Sequence, residues 1–251
     1  MRRHLIAAAL LLLVSAPLLA DNLAANITAA VAAPERSDKD RERDARDRPA
    51  ELLAFAGIAP GIKIADVFGG GGYWTELLAR AVGAEGQVRL VNNSPYFAFA
   101  GKEIKPRFDT NRLPNAEQIT VETCNLKLGR ETFDMIVIFM SYHDLYYVDE
   151  KDGWPAIDAS AFLDQLHAAL KPGGRLLIVD HTATAGTGKT SAQDLHRIDE
   201  AFARQDIAGH GFKLVKTWDG YRNPGDDLTK LVFDPAVRGK TDRFTHLYRK
   251  R

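Results

Sequence analysis

Ile64-Ala65-Asp66-Val67-Phe68-Gly69-Gly70-Gly71-Gly72-Tyr73-Trp74-Thr75-Glu76-Leu77-Leu78 passes from an apolar, strand-like stretch through a glycine block into an amphipathic helix without a gap. Glycines in such a turn let the backbone take positive φ and approach a ligand with no Cβ in the way. The helix behind them presents unpaired N–H groups at its first turn. The stretch therefore reads as a nucleotide-type binding turn, with function expected in the crevice above Asp66 to Trp74.

Outward from this unit the pattern repeats. Ile62 to Phe68 and Gln87 to Asn92 read as strands flanking a helix over Tyr73 to Val82, and Ile119 to Asn125 reads as a third strand. Phe133 to Met140 (FDMIVIFM) is a near-continuous apolar run of strand length, which suits a strand covered on both faces. A helix follows over Ala159 to Leu170, with Lys171-Pro172-Gly173-Gly174 as its stop signal, and Arg175 to Asp180 (RLLIVD) reads as the fifth strand. Strands separated by helical segments imply right-handed βαβ units and a parallel sheet, with ligands beyond the carboxyl ends of the strands. The end of the chain departs from this pattern. Phe212 to Tyr221 and Asp242 to Arg249 read as two strands with no clear helix between them, hence an antiparallel pair closing one edge.

These residues carry a resemblance. Asp66 to Gly72 resembles the acidic, glycine-rich first motif of class I S-adenosylmethionine-dependent methyltransferases. FDMIVIFM with Ser141-Tyr142-His143-Asp144 is similar to their fourth strand and the loop after it, and LKPGG before RLLIVD to their entry into the fifth. GGGGYWTELL, YHD, LHRID (Leu195 to Asp199) and FDPAVRGKTDRF (Phe233 to Phe244) together resemble a family of bacterial methyltransferases made with an export signal. The resemblance covers about Pro49 to Lys250. It implies an α/β, Rossmann-like fold whose seven-stranded sheet is mostly parallel with an antiparallel C-terminal edge pair. It also implies S-adenosylmethionine as cofactor and a small or medium-sized methyl acceptor.

A sulfonium methyl is already activated, so the protein mainly holds the acceptor in line and dries the site, an alignment worth on the order of 7 to 11 kcal/mol. By the resemblance, Asp66 organises the turn at the cofactor, with Phe68, Gly69, Gly70, Gly71 and Gly72 forming its bed. Tyr73, Trp74 and Tyr142 are placed to put a π face near the sulfonium, worth roughly 0.5 to 2 kcal/mol. Plain core packing is the alternative for each ring. Two positions depart from the family pattern. Phe68 replaces the first glycine of the series and narrows the pocket floor. Asn92-Asn93-Ser94 stands where an acidic residue normally takes both ribose hydroxyls. An amide accepts one hydrogen bond and donates another, but lacks the charge-assisted strength of a carboxylate.

His143-Asp144 after the fourth strand and Asp180-His181 after the fifth are expected to converge beside the methyl-transfer position. Tyr142, His143, Asp144 and His181 are the candidate catalytic residues, with neutral histidine as general base or orienting group. Capping of strand ends is the bland alternative. A divalent metal at His143, Asp144, Asp180 and His181 is a third reading, and no metal is assigned. His196, in LHRID on an expected helix, reads as a packing or lid residue. Ala183-Thr184-Ala185-Gly186-Thr187-Gly188-Lys189-Thr190 matches a relaxed phosphate-binding loop. It reads as a chance match, because Ala183 takes the first glycine position and no further strand supplies a magnesium-binding Asp. A dinucleotide fingerprint is disfavoured, since Gly70 to Thr75 lacks the last small residue of the pattern and no acidic partner stands at Asn92. Arg238 to Arg243 gathers three cations near Asp234 and Asp242. They can meet an anionic group, although a solvated hairpin is the preferred reading. Asn223-Pro224-Gly225-Asp226-Asp227 reads as a turn.

Lys plus Arg (33) equals Asp plus Glu (33), so no basic face for nucleic acid is implied. Met1-Arg2-Arg3 followed by the apolar run Leu5 to Leu19 reads as a signal peptide, cleaved after Ala20 or as late as Ala33. It is short of the ~20 residues of a membrane span, so no stable membrane insertion is expected once it is cleaved. The protein is then periplasmic or secreted, or else held at the inner membrane by an uncleaved signal. Residues 21–48 read as a charged linker or exposed helix, with Glu35 to Arg48 mixing acids and bases evenly, and residues 49–251 as one methyltransferase-like domain. The single cysteine, Cys124, is expected to be buried and inert in the third strand. Two functions fit: methyl transfer by an exported enzyme, or ligand binding or sensing without turnover on the same scaffold.

Overall fold

The computed structural model describes residues 15–108 and 111–251. The expected signal lies largely outside them. Three helices precede the sheet: α1 (Ser15–Ala32), α2 (Asp38–Asp47) and α3 (Pro49–Ala56). The chain then alternates through β1 (Lys63–Val67), α4 (Tyr73–Val82), β2 (Gln87–Asn92), α5 (Ser94–Phe108), β3 (Ala116–Thr120), β4 (Phe133–Phe139), α6 (Ala159–Ala169) and β5 (Leu170–His181). It finishes with α7 (Ser191–Leu195), α8 (Glu200–Gly209), β6 (Phe212–Thr217) and β7 (Arg243–Lys250). The sheet order is β3-β2-β1-β4-β5-β7-β6. The first five strands are parallel, and β7 runs antiparallel to both β5 and β6, so the parallel core and antiparallel edge pair stand as expected. Strand order reverses between β1 and β4, and the site lies beyond the carboxyl ends of those strands.

β4 shows why its run is near-continuously apolar. Ile136 and Ile138 enter one core layer with Phe162, Leu166 and Phe244, while Met135 and Val137 enter the other with Leu77, Leu78 and Val179. Both faces are buried from Met135 onward, so only Asp134, half-buried at the start and bonded by the Lys63 amide and the Lys171 ammonium, interrupts the apolar run. β3 begins and ends earlier than expected. As an edge strand bonded only to β2 and half exposed, it has little apolar pattern to mark its limits. Cys124 falls in the turn after it and is exposed, which corrects the expectation of a buried thiol.

Residues 21–48, expected to be a charged linker or exposed helix, are largely helical, but several of their side chains are buried. Ile27 and Ala30 of α1 join the core layer that holds Leu52, Leu53 and Leu77. Arg36 is buried and forms a bidentate pair with Asp44, at 2.6 Å for each bond. Asp40 and Asp47 of α2 are buried too, the first against Arg107 at 2.8 Å and the second against Arg43, Arg46 and Arg243. The even mix of charges reflects ion pairs within the segment, joined by Arg107 and Arg243 from far along the chain. Among the described residues, no helix is long and apolar enough to cross a membrane.

Candidate functional site

The glycine turn follows β1 as expected. Asp66 is fully buried beneath it; Oδ2 accepts a hydrogen bond from the Thr75 hydroxyl at 2.6 Å, while Oδ1 is buried without a partner. A Cβ on Gly69 would lie 2.5 Å from Asp66 Oδ2 and 2.6 Å from Leu90 Cδ1, and Gly72 has φ 83°, so both positions require glycine. Burial pushes the Asp66 carboxyl up to about 7, against the lowering effect of the Thr75 hydrogen bond. A carboxyl whose folded value exceeds its unfolded value contributes stability that is complete below about pH 4 and lost as pH rises through about 7. Asp66→Asn, which cannot ionise, is expected to flatten that part of the stability–pH curve; parallel slopes for both proteins in urea titrations from pH 4 to 8 would refute the assignment.

Asn92 is engaged by the backbone of the glycine turn. Its Oδ1 accepts from Gly70 N at 3.1 Å and its Nδ2 donates to Gly70 O at 2.9 Å, so this fully buried amide locks the turn. Asn93 Oδ1 accepts from Tyr96 N at 3.1 Å in the first turn of α5. Phe68 takes the left-handed conformation (φ 56°) and stacks on Tyr96, ring centroids 4.7 Å apart. Tyr73 and Trp74 are turned away from the crevice. The Tyr73 hydroxyl donates to Asp44 at 2.7 Å beneath the Arg43 guanidinium, and Trp74 stacks on Phe139 at 4.3 Å. Helix α5 lies over the turn, where Arg107 Nε donates to Gly71 O at 2.8 Å and the same guanidinium pairs with buried Glu76.

Tyr142 is likewise withdrawn. It is fully buried and its hydroxyl bonds Asp206 in the α6–α8 layer. The neighbouring polar residues converge as expected. Asp180 Oδ2 accepts from the His143 backbone N–H at 2.7 Å, and Asp180 Oδ1 lies 2.8 Å from His143 Nδ1. His143 Nε2 is 3.2 Å from Asp144 Oδ1, and the Tyr96 hydroxyl donates to Asp144 Oδ2. Burial alone would lower the His143 imidazole, but Asp144 and Asp180 outweigh it and push it up to about 10. Asp144 responds in the opposite sense, its burial overcome by His143. Both ring nitrogens of His143 thus face carboxylates, Nδ1 towards Asp180 and Nε2 towards Asp144. His181, tied through Nδ1 to Thr241 Oγ1 at 2.7 Å, is driven well down by burial and by the cations His143, Arg243 and Arg197.

His196 completes the cluster. The expected helix over LHRID is broken there: α7 stops at Leu195, His196 is left-handed (φ 51°), and its Nδ1 comes within 3.6 Å of Asp144 Oδ1. Its role depends on a contact across the fold that no local spacing announces. Phe68, Met140 (φ 55°) and His196 are all non-glycine residues in left-handed backbone, and all three border this site. Above the cluster opens a cavity of about 540 Å3. Tyr147, Trp154 and Phe233 form apolar walls, and Arg43, Arg238 and Arg243 bring positive charge. The segment Arg238 to Arg243 is thus part of the cavity wall and not a free hairpin. The Gly186 and Gly188 amides of the relaxed phosphate-loop match both donate to Asp199, at 2.7 and 3.3 Å, which leaves no anion cradle.

The chain matches the Methyltransferase domain family over residues 37–219. It is 28% identical over 195 residues to the ubiquinone/menaquinone biosynthesis C-methyltransferase UbiE of Idiomarina loihiensis, covering 74% of this chain and 70% of that one. The UbiE of Teredinibacter turnerae is 29% identical over 144 residues, and there the match spans 57% of this chain and only about half (53%) of the relative. The crystal structure of a SAM-dependent methyltransferase from Aquifex aeolicus superimposes with a TM-score of 0.58 at 19% identity, over 86% of this chain and 100% of that one. With a glycine turn above a buried carboxylate, a parallel sheet reversing order beside it and a family match over most of its length, the chain belongs to the S-adenosylmethionine-dependent methyltransferases.

Proposed function

We propose that the protein methylates a small anionic aromatic acceptor held in the cavity above His143, and that it acts after export. The observation that carries this reading is the cavity itself, in which aromatic walls and arginines meet at the strand ends. Flat rings suit Tyr147 and Trp154, and a carboxylate or sulfonate on the ring suits Arg238 and Arg243. The relatives are named C-methyltransferases of quinone biosynthesis, which agrees with a ring as the methylated group. Export is supported by the basic start and apolar run before Ala20.

The glycine turn fits S-adenosylmethionine. Asp66 Oδ1 is a buried acceptor without a partner, and Gly70 has only Ala100 Cβ, at 3.9 Å, near the position of a side chain. Asp66 and Gly69 to Gly72 would hold its amino-acid end, while β2 offers no carboxylate for the ribose. The cofactor supplies a methyl group already activated by sulfonium charge. The chain's own work is to align the acceptor and exclude water.

Formation of S-adenosylhomocysteine from phenolic carboxylates, compared with neutral phenols of equal size, tests the reading. Arg238→Gln is expected to raise KM for the anionic acceptor about tenfold, a loss of about 1.4 kcal/mol, with little change in kcat. Equal turnover of charged and neutral phenols by both proteins would sink it.

A further inference from the structure

We infer that His143, Asp144 and His196 form a binding site for one divalent first-row transition metal, with an open coordination position facing the cavity. The inference deepens the proposed function only in its last step, where the open position receives an acceptor oxygen.

Geometry carries it. His143, Asp144 and His196 each offer one ligand atom, and these three atoms all lie within 4.8 Å of one another. The two shorter separations are 3.2 and 3.6 Å. Around a metal with bonds of 2.0 to 2.2 Å, tetrahedral ligand atoms stand roughly 3.3 to 3.6 Å apart, which both Asp144 separations match, and closing of the two imidazoles on the ion completes three corners. The outer contacts are those that metal ligands need. Asp180 holds His143 through Nδ1 at 2.8 Å and directs Nε2 inward, where the metal takes the place of the ring proton and releases it to solvent, and the Tyr96 hydroxyl fixes the second oxygen of Asp144. His196 is clamped between the Tyr147 and Phe233 rings, at 4.5 and 5.1 Å. Its left-handed backbone caps the end of α7, with its N–H bonded to the Ser191 carbonyl, and this turn brings Nδ1 to Asp144.

Two imidazoles and one carboxylate select zinc, ferrous iron, cobalt or nickel over magnesium and calcium, which prefer all-oxygen sets. Three protein ligands beside a cavity describe a site that keeps one position for an exchangeable oxygen, in contrast to closed structural centres. An acceptor hydroxyl or a water can take that position.

The test uses chelator-stripped full-length protein titrated with Co2+ alone, followed by visible absorption, with Zn2+ as competitor. The expected result is one Co2+ per chain, with the intense bands of a four- or five-coordinate site, displaced by one equivalent of Zn2+. His196→Ala and Asp144→Asn are each expected to weaken binding by at least about 100-fold and Asp180→Asn by about 10- to 100-fold. His210→Ala, which removes an imidazole paired with Asp164 far from the cluster, should leave it unchanged. Absence of the bands in the wild-type protein, or Co2+ affinity that survives both ligand substitutions in folded variants, overturns the proposal. None of these readouts involves methyl transfer, so they fail separately from the functional reading. Undiminished S-adenosylhomocysteine formation by metal-free protein would overturn the acceptor-oxygen step and leave methyl transfer standing.

Discussion

Arg197→Met is expected to cost about 3 to 5 kcal/mol of folding stability, the largest single-residue effect in the molecule. Arg197 is the largest fully buried side chain, and it forms a bidentate pair with equally buried Asp226 at 2.9 and 3.1 Å. The same guanidinium donates to the Thr182 and Lys230 carbonyls, at 3.0 and 2.9 Å, which ties the end of β5 to the loop carrying Val232 and Phe233 of the cavity wall. Removing the cation leaves Asp226 charged, buried and short of two donors. The carboxylate also accepts from the Asp242 and Leu228 amides, at 2.7 and 3.1 Å. A double replacement, Arg197→Met with Asp226→Leu, therefore restores only part of the loss, since those amides go unpaired. Urea unfolding of the two variants and the wild type measures both quantities, and a loss below about 1 kcal/mol for Arg197→Met would show that the pair is not the anchor its burial implies.

Gly69→Val is expected to weaken S-adenosylmethionine binding by at least about 100-fold, or about 2.7 kcal/mol. The new Cβ would fall 2.5 Å from Asp66 Oδ2 and 2.6 Å from Leu90 Cδ1. Neither atom can retreat: Leu90 is fully buried, and Asp66 is fully buried and held by Thr75. The turn must shift, and the Asn92 clamp on Gly70 shifts with it. Gly209→Ala is the matched control. It sits at the end of α8 with nothing within 4 Å of the added carbon, and affinity should not change. Calorimetric titration of both variants decides the matter, and unaltered affinity in Gly69→Val would place the cofactor elsewhere.

The parts of this molecule legible in its sequence are those whose chemistry is local. A strand buried on both faces is apolar along nearly all its length, as β4 is from Met135 to Phe139, so it announces itself, and a tight turn with left-handed backbone favours glycine, so Gly69 to Gly72 do as well. β3 and α5 are less visible, the first because an edge strand needs little apolar pattern, the second because Pro95 and Pro106 sit in a helix of weak amphipathic character. Site residues divide in the same way. His143, Asp144, Asp180 and His181 converge because strand ends in a known order are neighbours, and Asp66 lies under the turn because β1 leads straight into it. The use of Asn92 on Gly70, the withdrawal of Tyr73, Trp74 and Tyr142, and the arrival of His196 depend on contacts made across the fold. The charges of α2 look solvated for the same reason, since Arg107 and Arg243 are remote in the chain.

Helix α5 touches both halves of the site: Tyr96 near its start bonds Asp144, and Arg107 near its end bonds the Gly71 carbonyl. One rigid body thus spans the nucleotide half and the acceptor half. A ligand in either half that displaces this rod would alter affinity in the other by a factor that thermodynamic reciprocity makes equal in both directions.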